Sequence, residues 1–291
     1  MNLQNIVGHE KQINFLRNLT FDNLHHSWIF YGKKGIGKHS TLVSFLKEKL
    51  VKKSNYLESI FKLECNINTS IEDIRNIIRY SNLTNATKNG KIFIIFDDAD
   101  YLNFQSWNAL LKTIEEPPED TIIILILENL KRTPKTVISR CNLLKFNNLT
   151  NQDLENYCKK NNLTVDINIL RENEFLIRGS VERLNIIFKD DNITIINRLI
   201  KFMDDNIFKF KEFESLYSLL FKESNNLRFI LIDMVYYKLK EIFISNKKDE
   251  KKRKLTLELL TFIKENFDEN LNQDKKQELL IIFTEYFKIK K

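Results

Sequence analysis

Gly32-Lys33-Lys34-Gly35-Ile36-Gly37-Lys38-His39-Ser40 stands between an apolar run, Trp28-Ile29-Phe30-Tyr31, and a segment with apolar residues at helical spacing, Leu42, Val43, Phe45, Leu46 and Leu50. The spacing G-x4-G-K between a strand and a helix is that of a P-loop. Glycines let backbone N–H groups turn inward around phosphate oxygens, and the helix N-terminus adds positive potential. The cradle would consist of Gly32, Gly35, Gly37 and Lys38, with the Lys38 ammonium directed at the β- and γ-phosphates. His39 stands where the magnesium-binding Ser or Thr of the motif belongs. Ser40 does not replace that hydroxyl, because one residue further along a helix it points about 100° away.

Downstream, Lys91-Ile92-Phe93-Ile94-Ile95-Phe96-Asp97-Asp98-Ala99-Asp100 is an apolar strand that ends in carboxylates, a Walker B arrangement. Asp97 is placed to hold magnesium through water, as a hard oxygen ligand. Asp98 takes the position where a water-polarising glutamate is usual, and it is one methylene shorter. Read alone, the same residues also suit a strand end followed by an Asp-rich helix cap.

Around these motifs, short β-branched and aromatic runs at Ser27 to Tyr31, Ile60 to Cys65, Lys91 to Phe96, Thr121 to Leu127 and Leu143 to Phe146 read as strands. Helical patterns fall between them at 37–50, 70–80, 103–115 and 134–139. Alternation of this kind predicts a parallel sheet flanked by helices, with ligands at the carboxyl ends of the strands. All six glycines and all three prolines lie before residue 180, so the later residues change character. Residues 150–190 read as a small helical link. Beyond it Leu227, Ile230, Leu231, Met234 and Val235 form one helical stripe, Leu255, Leu259, Leu260 and Ile263 a second, and a last helix is expected from about Gln273 to Lys288.

The composition is 43% hydrophobic over 291 residues, which suffices for two cores and excludes a disordered chain. A net charge of +7 fits nucleic-acid contact without requiring it. The stretch Lys247 to Lys254 includes Asp249 and Glu250 and reads as a solvated loop between helices. Cys65, Cys141 and Cys158 lack C-x-x-C spacing, so neither zinc nor any other structural metal is expected, and a reducing cytoplasm is the natural setting. No apolar run approaches the length of a membrane span, and no membrane partner is expected.

Trp107-Asn108-Ala109-Leu110-Leu111-Lys112-Thr113-Ile114-Glu115-Glu116-Pro117-Pro118, followed by Thr133 to Cys141 with its Ser139-Arg140-Cys141, resembles the bacterial clamp-loader subunits of the DNA polymerase III holoenzyme. Ile6-Val7-Gly8-His9-Glu10 is similar to that family's start. The resemblance covers at least residues 1–185. It implies an AAA+ P-loop domain with a parallel sheet at 1–148, a small helical lid at 149–195 and an all-α collar at 196–291. It also implies that Arg140 is an arginine finger acting in trans on ATP held by an adjacent subunit, a role that suits a guanidinium. A structural arginine capping a helix is the plainer alternative.

Two subunit types of that family share this architecture: the ATP-hydrolysing gamma/tau motor and the delta-prime subunit. The departures here point to delta-prime. His39 replaces the magnesium hydroxyl and Asp98 the glutamate. Where motors carry a polar sensor this chain reads Ile126-Leu127-Glu128-Asn129, and the second sensor arginine is displaced to Arg183 or absent. Of a motor's four-cysteine module, Cys65 alone stands in the corresponding interval. The resemblance implies no independent turnover and a place in a hetero-pentameric ring with motor subunits and delta. Indirect dealings with the sliding clamp and contact with the backbone of primed DNA are also implied. For cofactors it leaves two readings, none at all, or ATP or ADP with magnesium in a degenerate site of Gly32, Gly35, Gly37, Lys38, His39, Asp97 and Asp98.

Overall fold

The β-branched and aromatic runs form five strands: β1 (Ser27–Tyr31), β2 (Ile60–Glu64), β3 (Ile92–Asp97), β4 (Thr121–Leu127) and β5 (Asn142–Lys145). Each lies within one residue of its expected bounds. The computed structural model describes residues 3, 6–20, 23–50, 59–85, 91–163, 165–189, 191–222, 227–246, 249–266 and 276–291. All strand pairings are parallel, in the order β2-β3-β4-β1-β5. The order reverses beside β1, and sheets of this kind bind ligands in the crevice at the carboxyl ends of such strands.

Alternation along the strands sends side chains to two apolar layers. Trp28, Phe30, Phe93, Ile95, Ile122, Ile124 and Ile126 face helices α1 (Glu10–Asn18) and α2 (Lys38–Leu50), which contribute Ile13, Leu16, Leu42, Phe45, Leu46 and Leu50. Ile29, Ile92, Ile94, Phe96, Ile123, Leu125 and Leu127 face the other way. They pack with Ile74 of α3 (Ile71–Asn85), Trp107, Leu110 and Ile114 of α4 (Phe104–Glu115), and Val137 of α5 (Lys135–Ile138). A sheet covered on both faces explains why the inner strands β1, β3 and β4 are continuous apolar runs, whereas the edge strands β2 and β5 carry polar residues. Helix α1 was not expected from the sequence, because polar residues separate its two buried anchors, Ile13 and Leu16.

The chain divides into two compact units, one of residues 1–164 with 179–181, the other of residues 165–178 with 182–291. The segment 149–195 is thus shared between them. Helix α6 (Asn151–Lys160), which opens with a Thr150/Asp153 capping box, lies in the first unit.

The second unit is helical: α7 (Ile167–Glu172), α8 (Glu174–Ile177), most of α9 (Val181–Ile187), α10 (Asn192–Asp204), α11 (Phe210–Leu220), α12 (Arg228–Ser245), α13 (Glu250–Asn266) and α14 (Lys276–Lys290). Phe202, Phe208, Phe213, Phe283 and Phe287 form an aromatic cluster, with ring centroids 5.3–6.0 Å apart. The Leu227 to Val235 stripe is buried as expected. The second stripe is buried only in part. Leu255 is exposed and Thr256 is buried in its place, with Leu259 and Ile263. The Thr256 hydroxyl donates to the Lys252 carbonyl at 2.7 Å, and with its polarity satisfied within the helix the side chain packs as an apolar one. Residues Glu250 to Lys254 are the first turn of α13 rather than a loop; Lys247 and Lys248 lie outside the described residues. Of the last helix, 273–275 also lie outside them.

Candidate functional site: the P-loop crevice and the exposed arginine

The loop between β1 and α2 forms as its glycines allow. Gly32 has φ +152°, and a Cβ there would stand 2.3 Å from the Phe146 carbonyl oxygen, so no other residue fits without moving the chain after β5. The Gly32 N–H donates to the Leu127 carbonyl at 3.2 Å, which fixes the loop to the end of β4. Gly35 and Gly37 also have positive φ, and the space above Gly37 is open. Lys38 is buried at the first turn of α2. Its Nζ donates to the Gly32 and Lys33 carbonyls at 2.5 and 2.8 Å. Burial lowers the Lys38 pKa, opposed by the carboxylates of Asp100, Asp98, Glu128 and Asp97.

Asp97 lies on the α2 side of the sheet because it continues the Phe93, Ile95 alternation. That brings its Oδ2 to 3.8 Å from His39 Nε2. The separation is too long for a hydrogen bond, and Nε2 is a buried atom without a partner. Burial lowers the His39 pKa, so the ring is neutral at pH 7 and the contact is not an ion pair. The cation on Asp97 comes from a residue the sequence reading did not single out, Lys62 of β2. Its Nζ lies 3.1 Å from the same Oδ2 and 2.8 Å from Glu64 Oε1. Asp97 Oδ1 accepts from the Asp98 N–H at 3.2 Å. Asp98, at φ 52°, directs its carboxylate to Lys34 of the loop at 3.5 Å. Each of the two acidic residues therefore faces a lysine. Lys62 was legible as the polar, period-two neighbour of Glu64 in Ile60-Phe61-Lys62-Leu63-Glu64, once β2 is known to pair with β3.

Behind the crevice, Asp100 accepts the backbone N–H groups of Glu128 and Asn129 at 2.5 and 3.4 Å, so the end of β4 is tied to the turn after β3. Leu127 is buried and Glu128 exposed. A second unforeseen residue is His9, whose Nε2–H donates to the Ile36 carbonyl at 2.7 Å while its ring meets Phe146 edge-on at 4.9 Å. Burial lowers the His9 pKa; the Ile36 bond and Asp153 oppose this, and Lys38 adds to it. His26 and His39 are lowered by burial as well.

The unfolded chain takes up these protons near the ordinary histidine pKa of about 6.5, before the folded chain does. Stability should be full above about pH 6.5 and fall as the pH drops below it. A urea-denaturation series from about pH 7.5 to about pH 5 should show this decline, and His9→Gln should flatten it. An unchanged pH slope in His9→Gln would count against His9 as a contributor.

Arg140 is not in the crevice. It follows α5, two residues before Asn142, and Asn142 pairs with Trp28 at the amino end of β1. The P-loop begins at the other end of β1, about 13 Å along the strand from Trp28. The half-exposed guanidinium is held in place: Nε lies 2.9 Å from Glu115 Oε1, and Nη1 donates to the Thr136 carbonyl at 3.0 Å and to Ser139 Oγ at 3.2 Å. The surrounding surface cleft is lined by His25, His26, Glu115 and Cys141. Burial pushes the Cys141 thiol up to about 12, which makes it an inert neighbour. Cys65 is raised to about 12 for the same reason. In the helical unit, Arg183 is committed to Asp233, which also pairs with Arg178 at 2.8 Å.

A family model described as DNA polymerase III, delta subunit, matches residues 8–150. The DNA polymerase III subunit gamma of Buchnera aphidicola subsp. Schizaphis graminum is 29% identical over 173 residues, covering 53% of this chain and 47% of that protein. The subunit tau/gamma of Haemophilus influenzae is 31% identical over 155 residues, covering 47% of this chain and 22% of that protein. Residues 8–150 belong to the AAA+ clamp-loader family of DNA polymerase III. The chain spans about half the length of the first of these relatives. Among solved structures, a point mutant of RuvB from Thermotoga maritima superposes with TM-score 0.52 at 14% identity, over 83% of this chain and 78% of that one, a likeness of fold alone. Among the described residues no helix is long and apolar enough to cross a membrane.

The clamp-loader fold implies a nucleotide with magnesium, and the two fit this chain differently. The glycine loop, the open space above Gly37 and the N-terminus of α2 suit phosphate oxygens. The magnesium position does not fit: an imidazole stands where a hard cation needs a hydroxyl, and an ammonium rests on the carboxylate.

Proposed function

We propose that the chain is a delta-prime-like clamp-loader subunit, which supports loading of the sliding clamp onto primed DNA without hydrolysing ATP itself. Its P-loop is a degenerate nucleotide site of Gly32, Gly35, Gly37, Lys38, His39, Asp97 and Asp98, and its helical region serves as lid and collar in a hetero-pentameric ring with motor subunits and delta. Arg140 acts in trans on the ATP of the adjacent subunit. The observation that carries this reading is the separation of the two ends of β1. Arg140 sits by the amino end and the P-loop follows the carboxyl end, so the finger is of no use to its own cradle. The lysines that neutralise Asp97 and Asp98 support the loss of turnover in cis.

The named relatives are gamma and tau subunits, and this favours a second reading, a motor subunit of the gamma/tau type. His39 and Lys62 weigh against it. Reconstitution with motor and delta subunits, followed by ATP turnover of wild-type and Arg140→Ala rings, tests the proposal. Loss of turnover at one site supports it, and equal turnover contradicts it.

A further inference from the structure

Lys62 is neither a phosphate ligand of the P-loop motif nor a solvated surface lysine. It lies on edge strand β2, where the register sets it beside Ile95 of β3 and places Glu64 opposite Asp97. Alternation puts Ile60, Lys62 and Glu64 on the α2 side of the sheet, the side on which Asp97 and His39 meet. The ammonium reaches Asp97 Oδ2 at 3.1 Å and Glu64 Oε1 at 2.8 Å, with 30% of the side chain exposed. The other Asp97 oxygen accepts the Asp98 N–H. Both oxygens of the Walker B carboxylate Asp97 are therefore engaged, one of them by a positive charge. Burial of Lys62 works against its charge, but the hydrogen bonds to Glu64 and Asp97 outweigh it and raise its pKa.

We propose that Lys62 is a built-in cation that takes the place of the divalent metal at Asp97 and excludes Mg2+ from this P-loop. A divalent ion at Asp97 Oδ2 would stand within a few ångströms of the ammonium, and the two positive charges repel. His39 offers the ion a borderline nitrogen in place of the hard oxygen that Mg2+ selects. The positive charge beside any phosphate in the cradle is then supplied by the protein. This rests on the reading of the loop as a degenerate nucleotide site, but it needs neither turnover nor a partner subunit, so it fails or stands apart from the Arg140 test.

Mn2+ titration followed by electron paramagnetic resonance, which counts the free ion, tests it on the full chain. The wild type should show no site that Asp97→Asn removes. Lys62→Met, which keeps the length of the stem, should gain one Mn2+ site with affinity raised about 10- to 1,000-fold, the range expected of one unit charge at this distance. Lys62→Met with Asp97→Asn should lose it, and Lys62→Arg should not gain it. Lys62→Gln gives the same comparison if the methionine variant does not fold. An Asp97-dependent site already present in the wild type, or no gain in the folded neutral variant, overturns the proposal.

Discussion

Arg140→Ala should lower ATP turnover about 10³- to 10⁵-fold at the one site that receives the finger, while the assembled ring keeps its composition. The size follows from what a guanidinium does at a transferring phosphoryl group: it meets charge that spreads over the equatorial oxygens only in the transition state. Removing it therefore takes away stabilisation of the transition state rather than binding. The arginine is pre-positioned rather than free to search. Glu115 at the end of α4 and the Thr136 carbonyl hold it on the surface, and α4 is anchored in the core by Trp107, Leu110 and Ile114. Pre-steady-state phosphate release should lose the amplitude of a single site. Because the side chain is half-exposed and its pair with Glu115 lies at the surface, the substitution should change stability by no more than about 1 kcal/mol. A full burst amplitude in a ring proven to contain the variant would remove Arg140 from the chemistry.

Asp233→Ala should destabilise the helical unit by about 3–5 kcal/mol, toward the lower end of that range because Arg178 keeps partial access to water. Asp233 of α12 is one of the few buried carboxylates among the described residues. It receives Arg178 at one oxygen and Arg183 at the other, and the Arg183 guanidinium also lies 4.5 Å from the centre of the Phe229 ring. These contacts join α8 and α9 to α12. Deleting the carboxylate leaves two guanidinium groups facing each other in a half-dry environment, so the cost is that of an uncompensated charge more than of a lost contact. A urea midpoint series with the slope checked for constancy measures it. A loss below about 1 kcal/mol would mean that water reaches the pair and screens it.

How far the chain could be read beforehand depended on how local the signal was. The strands were legible because a sheet buried on both faces demands uninterrupted apolar runs, as in Ile92 to Phe96 and Thr121 to Leu127. The P-loop was legible because its glycines answer a local steric need, which the Phe146 carbonyl beside Gly32 makes concrete. What escaped depended on neighbours distant in sequence. Lys62 gains its meaning only when β2 pairs with β3. His9 gains its own only when the N-terminal segment lies against Ile36. The stripe at Leu255 failed for a different reason, a threonine that hides its hydroxyl in its own helix and takes the core position. Arg140 and Asp97 were both named from motifs, but their placement at opposite ends of the sheet followed from the register alone.

We propose a P-loop that has kept its cradle and lost its metal, in a chain whose Arg140 serves an adjacent subunit. Phosphate release by the purified chain, with ATP and magnesium and with Lys38→Ala as the control, tests this most directly. The expected rate is that of the control, since Asp97 is held by Lys62 and the hydroxyl is replaced by His39. Turnover by the chain alone that depends on magnesium and disappears in Lys38→Ala would contradict it and establish a motor subunit.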